Sequence, residues 1–216
     1  MTSEVKPSTP RATGESGGAA PSAAELAGLV GSRICHDFAS PLGAIGHGLE
    51  LMAMTGTRSD DLSLAQSALA DALARLHFNR IAFGAGIGDA PLAALEAAQM
   101  VDAIYGAGRV RARYVVDRDL PRREVRLAFL GLLCLERAVP WGAEITVERA
   151  GDVWRLRAAA QRVRMDPELF GLLDGTGRAP DGNANAAQFL LLAHRAGDAG
   201  RRPTVRTEPD GLVLEI

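Results

Sequence analysis

The 216 residues carry 24 basic and 26 acidic side chains, a formal net charge of −2, and are 47% hydrophobic. That length and apolar content suit one or two small domains with a proper core. The near-zero charge gives no electrostatic case for a nucleic-acid or anionic-membrane partner. Two cysteines, Cys35 and Cys134, stand in no metal or redox spacing, so a reducing cytoplasm is the expected compartment. Lys6 is the only lysine; with the abundance of alanine, this reflects codon composition rather than function. The longest strongly apolar run, Leu127 to Leu135, is far short of the roughly 20 residues a membrane span needs. The N-terminus lacks a signal peptide's basic start and apolar stretch, and a cytosolic protein is expected.

Residues 1–22 are rich in Ser, Thr, Pro, Gly and Ala without apolar periodicity, which predicts a disordered tail. From residue 23 a helical pattern begins: Leu26, Val30, Ile34, Phe38, Leu42, Ile45, Leu49 and Met52 recur at spacings of three and four. Thr55 to Ser59 breaks it as a turn, with Gly56 as C-cap. Ser59 and Asp60 can cap a second helix, whose stripe is Leu62, Leu69, Leu73, Leu76 and Phe83. Two long helices with a short connection pack antiparallel. A lone hairpin buries little surface, so two copies are expected to pair as a four-helix bundle in a homodimer.

Gly84, Gly86 and Gly88 close the hairpin, giving a first domain over 23–86 and a second over 87–216. In the second, a helix is predicted over 91–105, a strand over 109–115 and a helix over 122–139. Two strands follow, 143–149 and 153–160, joined tightly at Ala150-Gly151-Asp152. Helices over 167–173 and 184–196 precede strands 204–207 and 212–216, paired around Pro209-Asp210-Gly211. Helices on one face of a mixed sheet make the fold class α+β, the second domain being an α/β sandwich.

The first helix carries Cys35-His36-Asp37-Phe38-Ala39-Ser40-Pro41-Leu42. Positions 36, 40, 43 and 47 share a face away from the apolar stripe, so His36 points to solvent amid the small residues Ala39, Ser40 and Gly43. A neutral imidazole is a good nucleophile toward an acyl phosphate. Asp37 can fix its tautomer and stabilise the positive charge that develops. Arg33, one turn earlier, can meet an incoming phosphate; Ser40, one turn later, can orient the ring or a water. Pro41 removes a backbone hydrogen bond and is expected to kink the helix, at a cost of about 3 kcal/mol. His36-Asp37 alone would mark only a solvated histidine. The acid at +1, hydroxyl at +4, Pro at +5 and dimerising hairpin together make His36 the phosphoacceptor expected here. His47 lies on nearly the same face but lacks an acidic neighbour and a following Pro, and is assigned to the partner footprint. His77 is read as structural and His194 as complementing a helix C-terminus. The four histidines show no metal-ligand spacing.

Ser32 to Asp37, Pro41 to Ile45 and Gly48 to Leu51, with the second-helix ending Arg75 to Gly84, resemble the ChpT-type histidine phosphotransferases of alphaproteobacteria. Pro140 to Val147, and Leu191 to the C-terminal Ile216, resemble parts of the ATPase domain of histidine kinases. Against that pattern, Arg126 to Val139 contains no asparagine for magnesium and phosphates. Gln161 to Met165 replaces the adenine loop, and Asn183 to Gln188 the glycine-rich lid. Asp174-Gly175-Thr176-Gly177 follows a helix rather than a strand and reads as a plain turn.

The resemblance implies a phosphorelay phosphotransferase with a degenerate ATPase-like domain that binds no ATP. Phosphoryl would arrive from the receiver aspartate of a hybrid histidine kinase, pass through His36 and leave for response-regulator receivers, with Mg²⁺ supplied by the receiver. Docking is expected on the outer face of the first helix at His36, Ser40 and Gly43, with Arg33 and His47 in the footprint. The alternatives are an ATP-dependent histidine kinase with a divergent site and a non-catalytic regulator-binding protein, with phosphatase action through Ser40 a lesser one.

Overall fold

A computed structural model describes residues 22–55, 59–84, 90–177 and 183–216. Helix α1 (Ala23–Thr55) runs 33 residues, unbroken at Pro41, and α2 (Ser59–Ala82) runs 24 back along it. The start of α1 is a reciprocal capping box. The Glu25 carboxylate accepts from Ser22 N and Oγ at 2.7 Å, and Ser22 Oγ accepts from Glu25 N at 3.2 Å. These bonds hold the Glu25 carboxyl below its usual range. The expected tail, apart from Ser22, and the expected Gly56 cap lie outside the described residues, as do Gly86 and Gly88.

The helices meet through small residues. Ala65, Ala68 and Ala72 of α2 are buried, and Gly48 of α1 comes so close that an added Cβ would stand 3.1 Å from that of Ala65. The leucine stripe is not what closes the hairpin: Leu62, Leu69, Leu73 and Leu76 remain 41–50% exposed, and Leu42 and Leu49 of α1 58% and 56%. At its far end the hairpin enters the core of the second half. Phe78 stacks on Phe129 at 4.3 Å and meets Tyr105 edge-on at 6.2 Å. Buried Arg126 donates from Nε to Ile81 O at 3.1 Å and from Nη2 to Gly84 O, securing the carbonyls at the end of α2.

Beyond the hairpin a two-residue strand β1 (Pro91–Leu92) pairs antiparallel with β3 (Leu120–Pro121), so the helix expected from Pro91 begins later, as α3 (Ala94–Tyr105). Proline and the backbone pairing at Pro91–Leu92 take that first turn. Strand β2 (Val110–Tyr114), helix α4 (Arg122–Ala138), strands β4 (Ala143–Ala150) and β5 (Val153–Ala159), helix α5 (Pro167–Asp174), a 3-10 turn Ala184–Ala186 and helix α6 (Ala187–Asp198) follow. Strands β6 (Thr204–Glu208) and β7 (Gly211–Glu215) close the chain. The main sheet has order β2-β4-β5-β7-β6; β2 and β4 are parallel and the rest antiparallel. The fold is α+β: a helical N-terminal region and a sheet domain.

Alternation sets the layers. Ile145, Val147, Trp154, Leu156, Ala158, Leu212 and Leu214 are buried beneath the helices. On the outer face Arg155 and Arg206 both donate to Glu215, at 2.8 and 2.9 Å, and Arg157 donates to Glu208 and Asp210. Helix α4 is buried almost all round, and Gly131 lets it approach the sheet: a Cβ there would meet Leu214, Leu156 and Ile216 at 3.0–3.2 Å. Gly211, at φ +153°, opens β7 where a Cβ would stand 1.9 Å from Ala158 O. Gly211→Ala must therefore push two paired strands apart. We expect it to destabilise the fold by about 3 kcal/mol, lowering the melting temperature by roughly 6–12 °C in a thermal unfolding scan.

Candidate functional site

His36 is four-fifths exposed on α1, and its Nδ1 stands 3.5 Å from Asp37 Oδ1. The Asp37 side chain is only 9% exposed, because its other oxygen accepts from Arg33 Nε at 3.2 Å, one helical turn back. Arg33 in turn donates from Nη1 to Asn185 Oδ1 at 3.1 Å, across 152 residues of sequence. Asn185 sits in the 3-10 turn before α6, where Asn183 Oδ1 accepts from the Asn185 amide at 3.0 Å and holds it in place. A chain of contacts thus runs from the second half of the protein to the imidazole.

The chemistry of this arrangement follows from its order. The carboxylate faces Nδ1, which favours a proton on that nitrogen and leaves the Nε2 lone pair free toward solvent. Arg33, expected to meet phosphate directly, has two of its nitrogens committed to Asp37 and Asn185. Ser40 and Gly43 are exposed beside His36, and a Cβ at Gly43 would meet nothing within 4 Å. Pro41 is buried and α1 continues through it. His47 does have an acidic neighbour, Glu50, whose carboxylate lies 3.5 Å from its Nδ1 one turn on, but both side chains are more than 70% exposed. His77 is exposed, and the buried neighbours at that helix end are Phe78 and Asn79. His194 lies near the end of α6, 3.4 Å from Asp198. Among the described residues no group of three or more His, Cys, Asp or Glu could hold a metal ion.

His36 stands at the mouth of a cleft of about 500 Å³ between the hairpin and the second half of the chain. Phe78, Asn79, Tyr105 and Leu133 are its buried residues, and Arg33, Arg75, Arg109, Arg137 and Arg164 line it. Tyr105 donates to Glu136 at 2.9 Å, and burial, then the Glu136 charge, push its phenol pKa far up. None of these arginines other than Arg33 was legible as part of a site. They come from α2, the segment just before β2, α4 and the segment after β5, and only folding gathers them. Asn185 was equally hidden, having been read only as part of a lost lid. Asp174 to Gly177 is a turn, as expected: Gly175 is left-handed at φ +79°, and Asp174 accepts from the Thr176 amide and hydroxyl.

Residues 94–211 match the family model described as histidine phosphotransferase C-terminal domain. The chain belongs to the histidine phosphotransferase family. Over 199 residues this phosphotransferase is 33% identical to protein phosphotransferase ChpT of Brucella abortus (strain 2308), covering 89% of this chain and 95% of that one. Its fold matches a solved bacterial phosphotransferase structure at a TM-score of 0.73 and 29% identity, over 90% of this chain and 97% of the other. The histidine phosphotransferase is thus related to its family across the hairpin as well as the sheet domain, and its role lies in a phosphorelay. No helix among its described residues is long and apolar enough to cross a membrane.

The Asn185–Arg33–Asp37 chain carries a direct expectation. Asn185→Ala removes one of the two anchors of Arg33, a hydrogen bond to a charged group worth about 1.5–3 kcal/mol. Part of that loss should reach the orientation of Asp37. We expect a three- to tenfold slower phosphoryl transfer with the melting temperature within a few degrees of wild type, read from transfer time courses and a thermal scan on the same preparations.

Proposed function

We propose that this phosphotransferase takes a phosphoryl group from the aspartyl phosphate of a receiver domain onto His36 and passes it to a second receiver. The observation that carries the reading is the exposed His36 ring, its Nδ1 backed 3.5 Å away by an Asp37 carboxylate that is itself held by Arg33. In the transfer, the Nε2 lone pair attacks phosphorus as the aspartyl oxygen–phosphorus bond breaks and the carboxylate leaves. The imidazole becomes cationic, and Asp37 stabilises that charge through the proton that stays on Nδ1. The receiver's own Mg²⁺ would neutralise the departing carboxylate, and this chain would need neither a metal nor ATP. The reverse transfer to a response-regulator aspartate uses the same geometry, with no net hydrolysis at either end.

The partners we propose are the receiver of a hybrid histidine kinase on the donor side and response-regulator receivers on the other. Their landing surface is the small-residue face of α1, with Ser40 and Gly43 beside the ring and His47 three turns along. We also propose a homodimer. Leu42 and Leu49 of α1 and Leu62, Leu69, Leu73 and Leu76 of α2 are about half exposed in a single chain. Helical spacing puts Leu42 and Leu49 on the side of α1 away from His36, and pairing would cover the exposed leucines.

The test is to incubate the purified protein with a receiver labelled on its aspartate, the kinase having been removed. Label should move to this chain in an acid-labile, base-stable form, as a phosphohistidine requires. A parallel incubation with γ-labelled ATP and Mg²⁺ should leave the chain unlabelled. Label from ATP in the absence of any kinase would replace the relay reading with a kinase one. Receiver binding without label would replace it with sequestration.

A further inference from the structure

The cleft below His36 carries a charge pattern that the proposed transfer step leaves unassigned. Arg75, Arg109, Arg137 and Arg164 line it, and among the described residues none of the four has a side-chain hydrogen bond or ion pair. Other arginines of the fold are engaged: Arg155, Arg157 and Arg206 pair with acids on the outer sheet face, and Arg126 is bonded to backbone. The acids lining the cleft are already occupied, Asp37 by Arg33 and Glu136 by Tyr105. Asn79, 6% exposed and also lining the cleft, has a buried Nδ2 with no hydrogen-bond partner. Arg109, Arg137 and Arg164 are exposed and Arg75 half-buried, so four guanidinium groups offer free donors around one concavity, against the single carboxylate of Glu136 that a neutral phenol leaves charged.

We propose that this cleft binds a small anion carrying at least two phosphate groups. One phosphate is satisfied by one or two guanidinium forks, so four free arginines match two or more phosphates. The cleft, about 500 Å³, is within the range of small-molecule sites. Its depth argues for a small ligand over a protein surface: Phe78, Asn79 and Leu133 are all at least 94% buried, beyond reach of a globular receiver resting on α1. Its aromatic residues, Phe78 and Tyr105, are buried with no face open for a base to stack on, so recognition falls on the phosphates. This site goes beyond the phosphotransfer reading and does not depend on it.

The experiment is calorimetric titration of the full-length protein with inorganic pyrophosphate at constant ionic strength, without Mg²⁺. Wild type should show saturable binding, with one equivalent per chain. The double variant Arg137→Gln, Arg164→Gln, both exposed and unpaired, should weaken it at least tenfold while its thermal unfolding is unchanged. Arg155→Gln, which removes a positive charge from the outer sheet face, should leave the affinity within twofold. Asn79→Ala, checked for folding, gives a second reading from inside the cleft and should also weaken binding. No saturable binding to wild type would overturn the proposal. Equal weakening by Arg155→Gln would overturn it too, as general charge attraction.

Discussion

His36→Ala is expected to reduce phosphoryl transfer from a labelled receiver to background, and His47→Ala to leave it within about twofold of wild type. Both histidines lie on one face of α1, and both have a carboxylate 3.5 Å from Nδ1. Exposure of the ring and an adjacent acid therefore do not separate them. The acids differ. Glu50 is 75% exposed, so solvent screens it and its side chain is free to move. Asp37 is 9% exposed and tied to Arg33, itself 11% exposed, so its carboxylate is held in place beside the imidazole and needs little reorganisation. Only His36 stands at the cleft mouth beside exposed Ser40 and Gly43. Asp37→Asn keeps the shape and removes the charge. It should slow transfer by roughly 10²-fold, in the range of a positioned acid or base, while label that does accumulate still resides on His36. Full-rate transfer in His36→Ala would remove the relay reading outright.

The second large effect is on assembly. Leu69→Asp with Leu73→Asp places two charges on the exposed leucine seam of α2, one turn apart. In a single chain these side chains are already 50% and 47% exposed, so the substitutions cost the monomer little. In a bundle each would bury the remainder against its counterpart, at roughly 25 cal/mol per Å² of apolar surface, and an unpaired buried carboxylate costs several kcal/mol more. Four such carboxylates per dimer should raise the dissociation constant by at least 10³-fold, an effect of about 4 kcal/mol. Light scattering at micromolar concentration should report a dimer for wild type and a monomer for the variant, with far-ultraviolet circular dichroism largely retained. An unchanged mass would mean that the seam is covered by something other than a second copy. The same pair tests whether transfer needs the dimer, because neither substitution touches the helix that carries His36.

How much of this was legible in the chain follows from the range of each interaction. Periodicity of three and four over residues 26–52 set out α1, and strict alternation set out β4 and β5 to within a residue or two. Both patterns record which side of an element is apolar, information carried by neighbours in sequence. The Pro91 helix start was misplaced for the converse reason: β1 exists only because Leu120 and Pro121 return to pair with it. The hairpin contact was also out of reach. Apolar spacing marks leucines, but Ala65, Ala68 and Ala72 allow the closest helix approach, and the leucines are left outward.

The site divides the same way. His36, Asp37, Ser40, Pro41 and Gly43 lie within eight consecutive residues, so one helical geometry relates them, and the sequence alone singled out the proposed nucleophile and its acid. The tertiary structure decided what holds that acid and what surrounds the ring. Asn185 reaches Arg33 across 152 residues, and Arg75, Arg109, Arg137 and Arg164 arrive from four separate segments. No periodicity encodes such meetings, because nothing local in a chain constrains which distant side chains will share a cleft. They follow only once α2 and α4 are packed into one core around Phe78 and Phe129.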